Sequence, residues 1–297
     1  MNDVTRKSKS RLIPSLNRRN RILGVSMSSY AAEKWLSAPE EPGRVVHVLR
    51  GCVNWVMPDG ELFFVVARGA GNLPHGVTVD GPEDFERFDL AIAMPVVVST
   101  SMIYFGNNDL SVDLSRAHSW NPVPAASSPV NWYPSCINAA IEILSKSVSS
   151  RGGAHLLSRV NELTMGKPMA TRGGPVERRI ASALQQMCGA IRRRDPNDFI
   201  AASEDLVGTG VGLTPSGDDV LLGIISVLTK RFGPANPETW FATSIRGLWT
   251  VIQGRTTQVS ETFLGHALNG RFPERLTDLL QALDVGDLPL VMDILTP

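Results

Sequence analysis

The chain has 297 residues, a length that suits one large domain or two domains of medium size. A hydrophobic fraction of 43% supplies enough apolar material for a core, and 29 basic side chains balance 29 acidic ones. This balance excludes a global basic field that would attract nucleic acid or an acidic membrane. The longest apolar run, Val220 to Leu228, is far shorter than the roughly 18 residues of a membrane-spanning helix.

The cysteines and histidines argue against disulfides and against a structural metal site. Cys52, Cys136 and Cys188 are odd in number and form no CxxC pair, a pattern typical of free thiols in a reducing cytoplasm. None of the five histidines is paired at HxH or HxxxH spacing. We therefore predict a cytoplasmic protein with no membrane or nucleic-acid partner.

Residues 1–24 are predicted to be a disordered basic tail. Only Asp3 opposes its cationic side chains, which are Arg6, Lys7, Lys9, Arg11, Arg18, Arg19 and Arg21. The segment lacks the apolar stretch of a secretory signal. A targeting or nucleic-acid-binding arm is the alternative, but a solvated terminus is the favoured interpretation.

Residues 25–125 are predicted to form a β-rich domain, either a small barrel or a sandwich. Val45 to Leu49, Val53 to Met57 and Leu62 to Ala67 are short runs of β-branched or alternating apolar residues. Pro58-Asp59-Gly60 separates the last two and predicts a hairpin turn. Several short strands punctuated by turns favour a closed or two-layered antiparallel arrangement.

Residues 126–297 are predicted to form an α-helical domain. The proline-rich stretch from Asn121 to Pro134 opposes both helix and central strand, and we interpret it as the connection. Beyond it, apolar residues recur at spacings of three and four, as in Val176, Ile180 and Leu184. The predicted fold class is therefore α+β, with a β-rich N-terminal domain followed by an α-helical one.

The segment from Gly208 to Asp219 is predicted to be the functional centre. Four of its ten leading residues are glycines, namely Gly208, Gly210, Gly212 and Gly217. Without Cβ atoms, backbone N–H groups can approach a ligand closely, and the helix that follows favours an anion at its N-terminus. Thr209, Thr214 and Ser216 add hydroxyl groups. We predict that these residues bind a small anionic substrate.

The loop matches neither familiar nucleotide-binding pattern. Asp218 follows Gly217 where a P-loop requires lysine, and Leu213 occupies the sixth position, where a dinucleotide fingerprint requires glycine.

Asp218 and Asp219 are the predicted catalytic residues and the possible ligands of Mg²⁺, the one cofactor that this segment suggests. Neighbours on a helix point about 100° apart, so the two carboxylates do not form a side-by-side dyad. One is expected to face the ligand while the other caps the helix or forms an ion pair. A carboxylate beside an anion-binding loop can hold a bridging cation, accept a ligand N–H, or act as a general base.

Helix capping is the alternative explanation of this segment. Thr214 would be an N-cap with Pro215 at the first helical position, or Ser216 and Asp219 would form a capping pair. Capping accounts for one hydroxyl and one carboxylate but not for four glycines. The ligand site is therefore the favoured interpretation.

A second segment, Arg255-Thr256-Thr257 with Ser260, is a candidate for another wall of the ligand site. The guanidinium of Arg255 suits carboxylate or phosphate, and the three hydroxyl groups are small donors. Taken alone, the segment is more simply an N-cap beside a surface arginine, and it becomes a binding wall if it lies next to the glycine-rich loop. His75, in the loop from Gly71 to Gly76, is predicted to be solvent-exposed, with a site histidine as the alternative.

The run from Gly210 to Asp219, with its Leu-Thr-Pro-Ser-Gly-Asp-Asp core, resembles the AllH-like family. The resemblance extends to Arg255-Thr256-Thr257 with Ser260 and then to Leu264, Ala267 and Gly270. In the N-terminal half it includes Gly71 to Pro74 with Gly76, and Val112 to Ala117 with Trp120 and Pro122. It covers most of the chain beyond about residue 25.

This resemblance implies a subunit of oxamate carbamoyltransferase, which acts with partner subunits in anaerobic allantoin breakdown and moves a carbamoyl group between oxamate and phosphate. The implied ligands are small planar anions that carry amide groups. Two other functions remain open. One is a non-catalytic binding or regulatory subunit that uses the same pocket. The other is a metal-dependent phosphotransferase, against which the absence of a loop lysine counts.

Overall fold

The computed structural model describes residues 20–36, 41–81, 83–106, 109–124, 130–147, 173–233 and 239–296. Most of the predicted basic tail, residues 1–19, lies outside these ranges. The chain divides into two compact units. The barrel unit comprises Met1–Met27, Ala31–Ala70 and Gly76–Ser119, and the helical unit comprises Ser28–Tyr30, Gly71–His75 and Trp120–Pro297.

In the described ranges of the N-terminal half, the elements are strands and one short α-helix. Its elements are β1 (Arg21–Ser28), α1 (Ser29–Leu36), β2 (Gly43–Leu49), β3 (Cys52–Val56), β4 (Leu62–Ala67), β5 (Gly76–Asp80), β6 (Pro95–Val98), β7 (Met102–Phe105), β8 (Leu110–Asp113) and β9 (His118–Trp120). A short 3-10 turn, Arg68–Ala70, follows β4. Residues 21–24, within the segment predicted as tail, belong to β1.

The first eight strands form a closed barrel. The sheet order is β5-β4-β3-β2-β6-β7-β8-β1-β9, and closure comes from β1, which pairs antiparallel with β5 and parallel with β8. The predicted hairpin is confirmed, because β3 and β4 are antiparallel and Val56 pairs with Leu62 across the turn. Gly60 adopts a φ of +88° in that turn, a backbone conformation that glycine reaches without strain.

The barrel interior is filled by large apolar side chains. Trp55, Phe63 and Phe105 are at most 1% exposed, and Trp35 of α1 lies with its ring centroid 5.6 Å from that of Phe63. These inward positions come from strands whose alternate residues face one side, so burial on one face stabilises the closed sheet.

The described ranges of the C-terminal half are helical. Its elements are α2 (Pro134–Ser147), α3 (Pro175–Arg193), α4 (Pro196–Leu206), α5 (Ser216–Phe232), α6 (Trp240–Ile252), α7 (Gln258–Leu268), α8 (Glu274–Val285) and α9 (Leu288–Leu295). The prediction of a β-rich N-terminal part followed by an α-helical part is confirmed. Among the described residues, no helix is both long and apolar enough to cross a membrane.

Local sequence explains where several of these helices begin. The side chain of Asp195 accepts from the backbone N–H groups of Asn197 and Asp198 at the start of α4, and Thr257 accepts from Ser260 at the start of α7. The core of the helical unit joins α4, α5 and α7 through buried residues such as Leu206, Leu221 and Leu264. This packing fixes the start of α5 beside α7, where the candidate site lies.

Candidate functional site

The glycine-rich loop joins the end of α4 to the start of α5 in a compact path. Gly208, Gly210 and Gly212 have φ values of +69°, +131° and +97°. A Cβ at Gly208 would lie 2.5 Å from the Arg255 carbonyl oxygen, and one at Gly210 would lie 2.6 Å from the Ser216 nitrogen. The loop therefore requires glycine at these positions for its own folding, whatever it binds.

The side chain of Asp218 is buried inside this loop and accepts hydrogen bonds from two sides. It is 2% exposed. One carboxylate oxygen accepts the backbone N–H of Gly208 at 2.8 Å, and the other accepts the hydroxyl of Thr256. Hydrogen bonds to a buried charge are among the stronger ones in proteins, so Asp218 ties the loop to the segment before α7.

Asp219, the next residue on α5, points outward. Its side chain is exposed, in keeping with the angle between neighbours on a helix. Loss of water from part of its surroundings, with a smaller contribution from the charge of Asp218, raises the pKa of Asp219 to about 6. A carboxyl group of this kind can exchange a proton near neutral pH.

The two predicted segments meet in space. Thr257 caps α7 and donates its hydroxyl to the Leu213 carbonyl oxygen at 2.5 Å, while Thr256 reaches Asp218. Arg255 forms an exposed ion pair with Glu204 at 2.5 Å. The second segment is thus both the predicted N-cap with a surface arginine and a neighbour of the glycine-rich loop.

The capping explanation of the first segment is wrong in its details. Pro215 occupies the N-cap position of α5, and no side chain caps the helix there. Neither Thr214 nor Ser216 takes the predicted capping role. The hydroxyl of Thr209 instead donates to the Asp205 carbonyl oxygen at 2.9 Å, and the Gly217 N–H donates to the Thr209 carbonyl oxygen at 2.8 Å. These contacts hold the loop against the end of α4.

A cleft of about 210 Å³ lies over the start of α5 in the helical unit. Asp218, Asp219, Thr214 and Ser260 supply its polar groups. Its apolar walls are formed by Leu73, Leu222, Phe263, Leu264 and Pro273. Within the described residues, no lysine or arginine lines this cleft. A mostly apolar cleft with a few convergent polar groups is the usual form of a small-molecule site.

The backbone N–H groups of the loop fall into two sets. Those of Gly208 and Gly217 are engaged inside the loop, with Asp218 and Thr209 as acceptors. Across the described part of the chain, the N–H groups from 210 to 214 make no hydrogen bond. The donors open to a ligand therefore lie at the apex of the loop and adjoin the cleft at Thr214.

The apolar walls are the part of the site that sequence reasoning missed. Leu73 belongs to the Gly71–Pro74 motif, which carried the family resemblance, and this was the available signal. Leu264 was also part of that resemblance, whereas Phe263 carries no such signal, because apolar residues at helical spacing predict a core face equally well.

The prediction for His75 is wrong. Its side chain is fully buried, because its loop belongs to the helical unit and its ring stacks on that of His266 in α7 at a centroid distance of 4.5 Å.

The donor set at this place does not form a dedicated Mg²⁺ site. Both oxygens of Asp218 already accept hydrogen bonds, which leaves Asp219 as the carboxylate open to a ligand. Over the described ranges, no group of three or more His, Cys, Asp or Glu residues is placed to hold a metal ion. We therefore derive no step through Mg²⁺.

Two family models match the chain. The first, described as the AllH family N-terminal domain, matches residues 24–119, and the second, described as oxamate carbamoyltransferase subunit AllH, matches residues 206–294. The second match contains the glycine-rich loop and every cleft residue except Leu73. The comparisons with curated proteins and with solved structures gave no match.

Proposed function

The chain belongs to the AllH family, and on this premise we propose that it is a subunit of an oxamate carbamoyltransferase-type complex. The observation that carries the proposal is Asp219, a carboxyl group with a pKa of about 6 in the lining of an apolar cleft beside open loop N–H groups. Oxamate and carbamoyl phosphate share one layout, with an anionic end and an amide end, and the site offers a place for each.

The amide end is proposed to bind at Asp219. An ionised carboxylate accepts N–H donors, and this one faces a cleft whose described lining includes no cation that would neutralise it. The walls of Leu222 and Phe263 suit the uncharged faces of a planar amide. Ser260, 2% exposed, and Thr214 supply hydroxyl groups to the lining of the cleft.

The anionic end is proposed to bind at the loop apex. Positive φ at Gly210 and Gly212 alternates with negative φ at Val211, a backbone pattern that can point successive N–H groups toward one anion. Thr214 and Ser216 add hydroxyl groups, and the N-terminus of α5 adds the positive end of its dipole.

The remaining loop residues are proposed to position these donors. Gly208, Thr209 and Gly217 make the internal contacts of the loop, and Asp218 with Thr256 and Thr257 joins it to α7. Arg255 pairs with Glu204 and packs its carbonyl oxygen against Gly208, so we assign it to support of the loop. Partner subunits are then needed to supply the cations for a second anion.

Carbamoyl transfer to oxamate requires one proton to move. The oxamate nitrogen forms a bond to the carbamoyl carbon, the bond from that carbon to the phosphate oxygen breaks, and phosphate leaves with the electron pair. The nitrogen must lose a proton, and we propose that Asp219 accepts it. In the reverse direction, phosphate attacks the carbamoyl carbon and the protonated Asp219 returns the proton to the departing nitrogen.

The test is turnover of the complex reconstituted with its partner subunits. Asp219→Asn keeps the shape of the side chain but removes the proton acceptor, and we expect kcat to fall by about 100-fold or more. Asp293→Asn, which changes an exposed acid on α9, is the matched control and should leave kcat unchanged. Full activity in Asp219→Asn would reject the catalytic role. Normal turnover with an altered ligand response would favour the regulatory subunit.

The cellular compartment and the metabolic pathway are proposed from observations outside the cleft. Cys52, Cys136 and Cys188 are free thiols, which supports the proposal of a reducing compartment such as the cytoplasm. A role in allantoin breakdown is proposed on the family resemblance alone.

A further inference from the structure

A cluster of rings and one cation lies behind the cleft in the helical unit. His75 and His266 are 0% and 5% exposed, and their rings stack with centroids 4.5 Å apart and planes 4° from parallel. Phe263 meets His75 edge-on at 5.0 Å, and Tyr30 meets His266 edge-on at 4.9 Å. The Arg271 guanidinium lies 4.2 Å from the Tyr30 ring centroid. Apart from Phe263, which is a wall of the cleft, these residues have no part in the proposed transfer chemistry.

The contact with Arg271 determines the protonation state of His266. Arg271 Nε lies 3.0 Å from His266 Nδ1. An arginine remains charged and only donates, so His266 Nδ1 must accept, and the ring proton lies on Nε2. His266 is therefore held neutral in one tautomer. Burial, with a further contribution from the Arg271 guanidinium, lowers the pKa of His75 well below its usual value, so the ring of His75 is neutral as well.

This neutral pair backs two walls of the cleft. Phe263 lies three residues before His266 on α7, on the same face of the helix, and contacts His75. Leu73 lies two residues before His75 in the loop that the stacked ring anchors. Both Phe263 and Leu73 line the cleft. Movement of either imidazole would displace an apolar wall while leaving Asp219 in place on α5.

We propose that His266, held by Arg271 and stacked on His75, is a positioning residue that fixes Phe263 and Leu73 and thereby sets which planar ligand the cleft accepts. The proposal rests on the proposed function, because it deepens the role of the same cleft. His266 does not touch the reacting atoms. Its contribution therefore belongs in ligand affinity and selectivity more than in the chemical step.

Two substitutions separate the contributions of His266. His266→Phe keeps a stacking ring but removes the acceptor for Arg271, and His266→Asn keeps an acceptor near the Nδ1 position but removes the ring. In the reconstituted complex we expect each to raise KM for oxamate by about tenfold, as small changes in apolar pockets do, with kcat little changed. His118→Asn, which alters an exposed histidine of β9, is the control. An unchanged KM in both folded variants would overturn the proposal. A fall in kcat as large as the rise in KM would overturn it as well.

A second measurement does not depend on turnover. Nitrogen NMR of the imidazoles in the full chain should show His266 with an unprotonated Nδ1 and a proton on Nε2. The methyl resonances of Leu73 and the ring resonances of Phe263 should shift in His266→Phe and not in His118→Asn. If the wild-type complex gives this NMR pattern but shows no turnover, the proposed function is refuted and the positioning role of His266 is not. Unshifted Leu73 and Phe263 signals would refute the positioning role, whatever the enzyme does.

Discussion

The ionised side chain of Asp219 should lower the free energy of unfolding of the protein. Its pKa is raised in the folded chain to about 6 from an ordinary value of 3.8, so the folded state binds the proton more tightly than the unfolded state. Stability should then fall as the pH rises from about 4 to about 6, and the full cost should persist above that window. This destabilisation is the expected consequence of placing a carboxylate over an apolar cleft.

Asp219→Asn should remove the cost. We expect the variant to be more stable than the wild type at pH 7 by about 1 kcal/mol, a modest figure because the side chain keeps solvent contact, and to match it below pH 4. Chemical denaturation at pH 4, 5, 6 and 7 measures the difference, with Asp293→Asn as the control. A variant less stable than the wild type at pH 7 would mean that the ionised carboxylate has a favourable partner in the folded chain.

At the scale of single residues, the sequence predicted that Arg255 to Ser260 would form a wall of the site only if they lie next to the glycine-rich loop. Adjacent aspartates on a helix had to diverge, and Asp218 does turn inward while Asp219 faces outward. Which of them turns inward depends on Thr256, a partner 38 residues away, and periodicity carries no such information. The burial of His75 likewise depends on His266, far along the chain.

At the scale of the helix, α5 offers a test of why its first turn contains glycine. A Cβ at Gly217 would lie 2.1 Å from the Leu206 carbonyl oxygen, whereas one at Gly223, on the same helix, would meet nothing within 4 Å. The requirement at Gly217 is therefore close packing of backbone on backbone, and Gly223 has no such constraint.

Gly217→Ala should destabilise the chain by about 3 kcal/mol through overpacking. Gly223→Ala should be neutral or stabilising by up to about 1 kcal/mol, since alanine favours helix. Thermal unfolding of both variants measures the contrast in one helix. Equal midpoints would show that α4 and α5 can separate at no cost, which is incompatible with a rigid loop at the site.

Some elements are determined by residues close in sequence, and others depend on contacts between distant parts of the chain. The hairpin between β3 and β4, which its turn residues predicted, and the start of α4 at Asp195 both follow from turn and capping signals that lie within a few residues of the element. Barrel closure was not predictable in detail. It depends on β1 pairing with β5 and β8, contacts that join distant parts of the chain. Residues 21–24 were placed in the tail because their strand character depends on that pairing.

At the scale of the whole molecule, the net charge is zero, but the charged residues are unevenly distributed along the chain. Residues 1–19 hold six of the 29 basic side chains and one of the 29 acidic ones, so the rest of the chain carries a net charge of −5. An acidic body repels polyanions, and the basic segment alone can attract them. Any affinity for nucleic acid must therefore depend on this segment and on low salt.

Removal of residues 2–19 tests this separation. Six phosphate contacts would give a dependence of log K on log salt with a slope of about −5, so the full chain should bind duplex DNA weakly at low ionic strength and not at about 150 mM salt. The shortened chain should not bind at either concentration, and its thermal midpoint should equal that of the full chain because it keeps Arg21, the first residue of β1. Gel-shift titration and thermal unfolding measure the two quantities. DNA binding by the shortened chain at 150 mM salt would identify a nucleic-acid surface on the acidic body and contradict the predicted absence of such a partner.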